Sequence, residues 1–218
     1  MSKAELYYEK NRQYFSYIRG DIIDLISVGN HRILDVGCGE GRTLRQLKEL
    51  GKAKETIGIE INENMANRLA QNVDKMIIGD VENLELDFEK EFFDYIIFGD
   101  ILEHLRNPIK ILKEYSEYLK NDGYIIASIP NLNHYGVVIP LIFFDKFEYK
   151  MAGILDKTHL RFFTRKSILK LFNSSGFELI TIKSNKKSFI VAIFTFITFG
   201  ILNRFFVYQY FIKARKKI

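Results

Sequence analysis

The residues best suited to chemistry lie in a few short stretches. The first is Asp35-Val36-Gly37-Cys38-Gly39-Glu40-Gly41. Alternate glycines let a ligand approach the main chain, and a following helix adds its N-terminal N–H groups. A dinucleotide fingerprint reads G-x-G-x-x-G, whereas this stretch reads G-x-G-x-G, with Arg42 where the third glycine would fall. Asp35, just before the glycines, would repel a pyrophosphate and attract an ammonium group. This spacing disfavours a nucleotide-dependent dehydrogenase. Cys38 reads as a small filler of the turn rather than a nucleophile. Two more acids follow apolar runs: Glu60 ends ETIGIE, and Asp80 follows KMIIG. A carboxylate such as Glu60 can accept two hydrogen bonds; the plainer reading of both acids is polarity at strand ends.

The second stretch is Gly99-Asp100-Ile101-Leu102-Glu103-His104. On a helical turn Asp100, Glu103 and His104 would share one face, and these residue types bind divalent cations. Packing of the loop and polar contact to a ligand are the alternatives. No metal site is predicted, and these three are the candidates for one. The remaining stretches are Asn131-Leu132-Asn133-His134-Tyr135 and Asp156-Lys157-Thr158-His159-Leu160-Arg161. Histidine suits proton transfer near neutral pH. His159 is the first candidate for a general base, His134 the second, and Asp100 a carboxylate alternative. The competing reading of His159 is a hydrogen-bonded anchor for its loop. Arg161 can pair an anionic group or Asp156.

Alternating elements must position these residues. Strands read at 32–36, 56–60, 75–78, 93–98, 124–129, 177–183 and 206–214. Helices read at 4–28, 42–50, 64–72, 108–119 and 164–175, the last opened by Thr164 and closed by Gly176. A turn is expected at 121–123, and residues 131–163 show no clean period. Strand–helix alternation is the signature of βαβ units around a parallel sheet.

Residues 33–41 (ILDVGCGEG) resemble motif I of the class I S-adenosylmethionine-dependent methyltransferases. The rest of that family's pattern follows in order. Glu60 matches the acid that binds both ribose hydroxyls, Asp80 matches the residue at the adenine amino group, and DYIIFGDILEHLRNP matches the fourth strand and its loop. The resemblance implies S-adenosylmethionine (SAM) as methyl donor and S-adenosylhomocysteine (SAH) as product. It places cofactor contacts at Asp35, Gly37, Cys38, Gly39, Gly41, Glu60, Ile61, Asp80, Val81 and Gly99. It also implies a doubly wound, Rossmann-like α/β fold: a seven-stranded sheet, order 3-2-1-4-5-7-6, with strand 7 antiparallel. An N-terminal helix and an apolar C-terminal insertion complete the expectation. One domain would divide into a helical lid (1–29, with Tyr7, Tyr8, Tyr14 and Tyr17), a cofactor core (30–130), an acceptor-side insertion (131–163) and the last strands (164–218).

Asp100-x-x-Glu103-His104 is similar to the E-x-x-E-H cluster of metal-dependent O-methyltransferases of the ubiquinone-pathway and small-RNA 2′-O types. The segments around His134 and His159 resemble a branch associated with cell-surface sugars and lipid-linked intermediates. The N/D-P-P-Y sequence of base- and glutamine-directed enzymes is replaced by GDIL. Together these imply methylation on oxygen of a small molecule or of a glycan- or lipid-linked precursor. The rivals are a metal-assisted RNA 2′-O-methyltransferase and a non-catalytic cofactor-binding or membrane-interacting module.

Charge separates the body from the tail. The 218 residues hold 32 basic and 27 acidic side chains, yet 184–218 has seven basic and none acidic. Residues 1–183 therefore carry 25 basic against 27 acidic, which argues against a nucleic-acid partner. A single cysteine excludes an internal disulfide and fits a reducing compartment. The polar opening MSKAELYYEK predicts no secretory leader, and the expected location is cytoplasmic. Residues 189–202 (FIVAIFTFITFGIL) carry no charge and are short for a span of ~20 apolar residues. They are expected to be a buried helix, a homodimer interface or a peripheral membrane contact.

Overall fold

Two-residue alternation along the central strands gives the sheet two buried faces. In β1 (His31–Val36), Leu34 and Val36 join one core and Ile33 the other. In β4 (Phe93–Gly99), Ile96 and Phe98 face the first core, and Tyr95 and Ile97 the second. The computed structural model describes residues 18–68, 73–184 and 201–217. The second face is covered by Ile22, Ile23, Leu25 and Ile26, in and after α1 (Gly20–Ile23), and by Leu44 and Leu47 of α2 (Arg42–Glu49). The short α3 (Glu63–Arg68) links β2 (Ala53–Glu60) to β3 (Lys75–Ile78). The first face is covered by α4 (Pro108–Ser116), through Ile111, Leu112 and Tyr115, and by a later helix over Arg165–Ser174.

The sheet order is β3-β2-β1-β4-β5-β7-β6, with β5 at Leu119–Pro130, β6 at Phe177–Ser184 and β7 at Gln209–Lys216. Strands β1 to β5 pair in parallel, and β7 runs antiparallel to both β5 and β6. This is the topology the family resemblance implies. Val36 pairs with Ile59 on one side and Phe98 on the other, so β1, β2 and β4 end level. The helices after β1 and β4 pack on opposite faces. That reversal opens a crevice at the carboxyl ends of β1 and β4, where open α/β sheets bind ligands.

Between β5 and β6 lie α5 (Tyr135–Phe144) and α6 (Arg165–Ser174). Thr164 opens α6 in a reciprocal capping box with Ser167, a device worth ~1 kcal/mol. Gly176, at φ +85°, follows the helix end in the left-handed conformation that glycine tolerates.

Several boundaries differ from the sequence expectation. The helix expected to run to residue 28 ends at Ile23, and residues 1–17, with the four tyrosines, lie outside the described residues. The turn expected at 121–123 is absorbed into β5. Phe93 faces Leu119 and Tyr95 faces Tyr124, so the residues between bulge out, and Lys120 Nζ reaches Asp94 Oδ1 at 2.6 Å. β7 begins at Gln209 rather than 206, after a 3-10 turn at Ile201–Phe205. Asn131 Nδ2 holds that connection by donating to the carbonyls of Arg204 and Val207, at 2.8 and 2.7 Å. Helix α5 shows no period because it is apolar all round. The uncharged 189–202 segment lies outside the described residues apart from its last two.

Phe98 is fully buried and packs edge-on against Tyr115 of α4. Phe98→Ala is expected to lower unfolding stability by about 3–5 kcal/mol, read as a lower midpoint in urea at an unchanged slope.

Candidate active site

The crevice is built from the loops that follow β1, β2, β3 and β4. Its lining includes Gly37, Cys38 and Gly39, then Glu60 and Ile61, then Asp80 and Val81, then Gly99, Asp100 and Ile101. His104, Leu105, Thr43 and Arg19 complete much of the wall. Eight of the ten residues expected at the cofactor therefore meet in one cleft. Asp35 and Gly41 do not line it: Asp35 is buried beneath the loop, and Gly41 is the N-cap of α2.

The loop conformation explains the glycines. Gly37, Gly39 and Gly41 all have positive φ, at 72°, 56° and 68°. A Cβ on Gly37 would stand 2.1 Å from Ile101 Cδ1. The loop is tied to β2 at three points. Gly37 N–H and Cys38 N–H donate to the Ile59 carbonyl at 2.8 and 3.0 Å, and Gly39 N–H donates to Glu60 Oε2 at 2.9 Å. Glu60 Oε1 accepts from Asn62 N–H at 2.9 Å. Burial raises the Glu60 pKa, and the N–H groups of Asn62, Gly39 and Ile61 pull it back. Burial also raises Asp35 to about 7; Arg19 opposes the shift and Glu60 adds to it. Cys38 is packed against Gly58 and Met76, and burial pushes its thiol well above the usual range, as suits a filler. Asp80 caps the turn after β3, accepting from Glu82 N–H at 3.1 Å.

Asp100 departs from the expected helical turn. Its φ is +56°, a conformation uncommon outside glycine. It therefore stands outside the 3-10 turn at Leu102–His104, though it lines the same cleft as His104. Its carboxylate accepts from Arg19 Nη1 at 2.5 Å, from Ser128 Oγ at 2.8 Å and from Gln209 Nε2. Arg19, Ser128 and Gln209 carry no sequence signal: they come from three distant segments and meet only when the sheet closes.

His104 lines the cleft; neither His159 nor His134 does. His159 packs edge-on behind His104 at 4.6 Å between ring centroids, and its Nδ1 lies 2.9 Å from the Ile154 carbonyl. His104 Nδ1 lies 3.1 Å from the Thr158 carbonyl. The ligating atoms of Glu103, His104 and His159 lie within 4.8 Å of one another, all buried. The main-chain N–H groups of Leu160 and Arg161 donate to the Glu103 carbonyl, fastening the 156–161 loop to the turn. His134 instead caps α5, accepting from Gly136 N–H at 3.1 Å, and burial lowers its pKa. Arg161 does not pair with Asp156. It donates to the Arg106 carbonyl, and Asp156 Oδ1 accepts from Thr158 N–H and Oγ1.

The family profile described as a methyltransferase domain matches residues 7–182. The chain belongs to that family. The demethylmenaquinone methyltransferase of Bacillus cereus is 27% identical over 171 residues, covering 70% of this chain and 72% of that protein. A solved SAM-dependent methyltransferase from Thermotoga maritima aligns with TM-score 0.68 at 20% identity, covering 99% of this chain and all of that one. Another from Archaeoglobus fulgidus gives 0.61 at 24% identity, covering 99% and 95%. Among the described residues, no helix is long and apolar enough to cross a membrane.

The buried acid gives the methyltransferase a pH signature. The folded-state pKa of Asp35 is about 7 against an ordinary 3.8. The fold therefore holds a proton that the unfolded chain releases, and stability declines as pH rises from the ordinary value through the folded one. Urea midpoints are expected to fall between pH 5 and pH 7, and Asp35→Asn should flatten that decline.

Proposed function

We propose that this methyltransferase binds SAM in the crevice between β1 and β4 and transfers its methyl group to oxygen of a small molecule or of a glycan- or lipid-linked precursor. The hydrogen bond from Gly39 N–H to Glu60 carries the reading. It locks the glycine loop to an acid whose oxygens have acceptor capacity left for two ribose hydroxyls. Asp80, one strand on, is then set for the adenine amino group, with Ile61 and Val81 as apolar neighbours. Gly37 admits the Ile101 side chain and Gly99 the Arg19 guanidinium, and buried Asp35, ionised when the ammonium end binds, supplies negative charge beneath the loop. The relatives' name, demethylmenaquinone methyltransferase, supports a lipophilic acceptor.

Methyl transfer from a sulfonium is an in-line displacement: the acceptor oxygen bonds the methyl carbon as the carbon–sulfur bond breaks. Positioning supplies much of the rate. A base is needed where the acceptor hydroxyl keeps its proton. His104 is the best-placed histidine, since it lines the cleft and the Thr158 carbonyl orients its ring. His159 and His134 then serve as a support behind it and as a helix cap. Asp100 acts by holding Arg19 over Gly99, where a Cβ would come within 3.0 Å of the guanidinium carbon.

Glu60→Gln keeps an oxygen for Gly39 and removes the charge. It should weaken SAH binding by 1.5–3 kcal/mol, about 10- to 150-fold, the worth of hydrogen bonds to a charged group, as read by calorimetry. The same variant is the control for labelled-methyl transfer into a fractionated host extract. Label in the lipid or small-molecule fraction supports the proposal, and label in RNA overturns its acceptor.

The Glu103, His104 and His159 group favours a second reading, metal-assisted transfer. Each histidine places Nδ1 against a main-chain carbonyl, so the neutral ring carries its lone pair on Nε2, as metal-ligating imidazoles do. With the Glu103 carboxylate, this donor set fits a divalent transition metal. A bound cation would supply charge that favours the deprotonated acceptor. Cobalt titration separates the readings: a stoichiometric visible absorbance, lost in Glu103→Gln, supports the metal. No absorbance change leaves His104 as the base.

A further inference from the structure

We propose that α5 and the turn after it dock on an anionic lipid surface, with the neighbouring basic cleft taking the lipid phosphates. The inference rests on the lipid-linked form of the acceptor proposed above and adds the surface that would meet it.

Helix α5 has no charged side chain from Tyr135 to Phe144, and Val137 is its one buried residue. Ile142, Phe143 and Phe144 are 67, 74 and 73% exposed. Ile139, Leu141, Phe147, Tyr149 and Met151 are exposed as well. Scattered exposed hydrophobics are ordinary, but eight within thirteen residues make a concentrated apolar surface. Ten helical residues span ~15 Å, half of a bilayer core. At that length the helix can enter one leaflet's boundary but cannot cross the bilayer.

Charge on the adjoining surface selects an anionic lipid. A cleft of about 640 Å³ is lined by Arg165, Lys166, Lys183 and Arg204, with no carboxylate in its wall among the described residues. No salt bridge joins any of these four to a carboxylate among the described residues. The cleft abuts α5: Asn133 lines it, His134 caps the helix, and Tyr135 touches Phe206 at 5.9 Å between centroids. Two acids lie on the apolar face, Asp145 and Glu148, and Glu148 is paired with Lys146 at 3.3 Å. Clusters of Lys and Arg like the one lining the cleft are drawn to anionic leaflets.

The geometry joins this face to the cofactor. Helix α5 follows the carboxyl end of β5, and β7 starts beside it, Gln209 pairing with Pro130. Gln209 reaches Asp100 in the cofactor cleft, while Tyr210, next in the chain, lines the basic cleft. Docking would therefore turn the working edge of the sheet toward the lipid. A lipid-anchored acceptor could enter without leaving the surface.

Co-sedimentation of the full chain with phosphatidylcholine vesicles, with and without phosphatidylglycerol, tests the proposal. The chain should pellet with the anionic vesicles, and Phe143→Ser/Phe144→Ser should cut the bound fraction about tenfold. Arg165→Gln/Lys166→Gln should remove the preference for phosphatidylglycerol. Circular dichroism and SAH binding should be unchanged in both variants. Full vesicle binding by the Phe143/Phe144 variant would overturn the proposal. So would a dimer in light scattering that this variant abolishes, with no vesicle binding, which would make α5 a self-interface. Calorimetric binding of inorganic pyrophosphate without vesicle binding would assign the cleft to free phosphate and also overturn it. Vesicle binding together with label in water-soluble acceptors would uphold the docking face and remove the lipid-linked acceptor.

Discussion

The buried carboxylate at the end of β2 is the constraint on which the working edge depends. Glu60 accepts from the glycine loop on one side and from its own turn on the other. The bond from Gly39 requires β1 and β2 to end level, and the pairing of Val36 with Ile59 secures this. A shift of one residue in that pairing would move Glu60 away from Gly39 and turn every side chain of the strand to the opposite face. Core and site therefore share one register: the residues that bury Leu34 and Val36 also aim the acid.

Holding an acid there costs stability that the rest of the fold must offset. Burial disfavours the charged forms of Asp35 and Glu60, Glu60 pushes Asp35 up further, and both acids push up the Cys38 thiol. Arg19 supplies an opposing charge to Asp35, and it is itself held by Asp100. A positively charged ligand end would relieve the same strain. In this account cofactor affinity and the cost of burying the two acids have a common electrostatic cause.

What was legible in the sequence was local chemistry. Motif I, Glu60 and Asp80 were readable because short strand–loop units carry them, and the topology followed from the family pattern. Asp100, Glu103 and His104 looked like one cluster because their spacing suits a helix. The positive φ of Asp100 takes it out of that helix and leaves His159, fifty-five residues later than His104, to complete the group. Arg19, Ser128 and Gln209 were silent because tertiary closure alone brings them to Asp100. Helix α5 escaped a periodicity reading for the reason that gives it interest: it has no polar face.

The most direct test of the central claim is a crystal structure of the chain with SAH. The account predicts both ribose hydroxyls within hydrogen-bonding distance of Glu60, the adenine against Asp80, and the amino-acid end above Asp35 near Arg19. An adenosyl group seated elsewhere, or Glu60 turned away with its Gly39 bond broken, would contradict it.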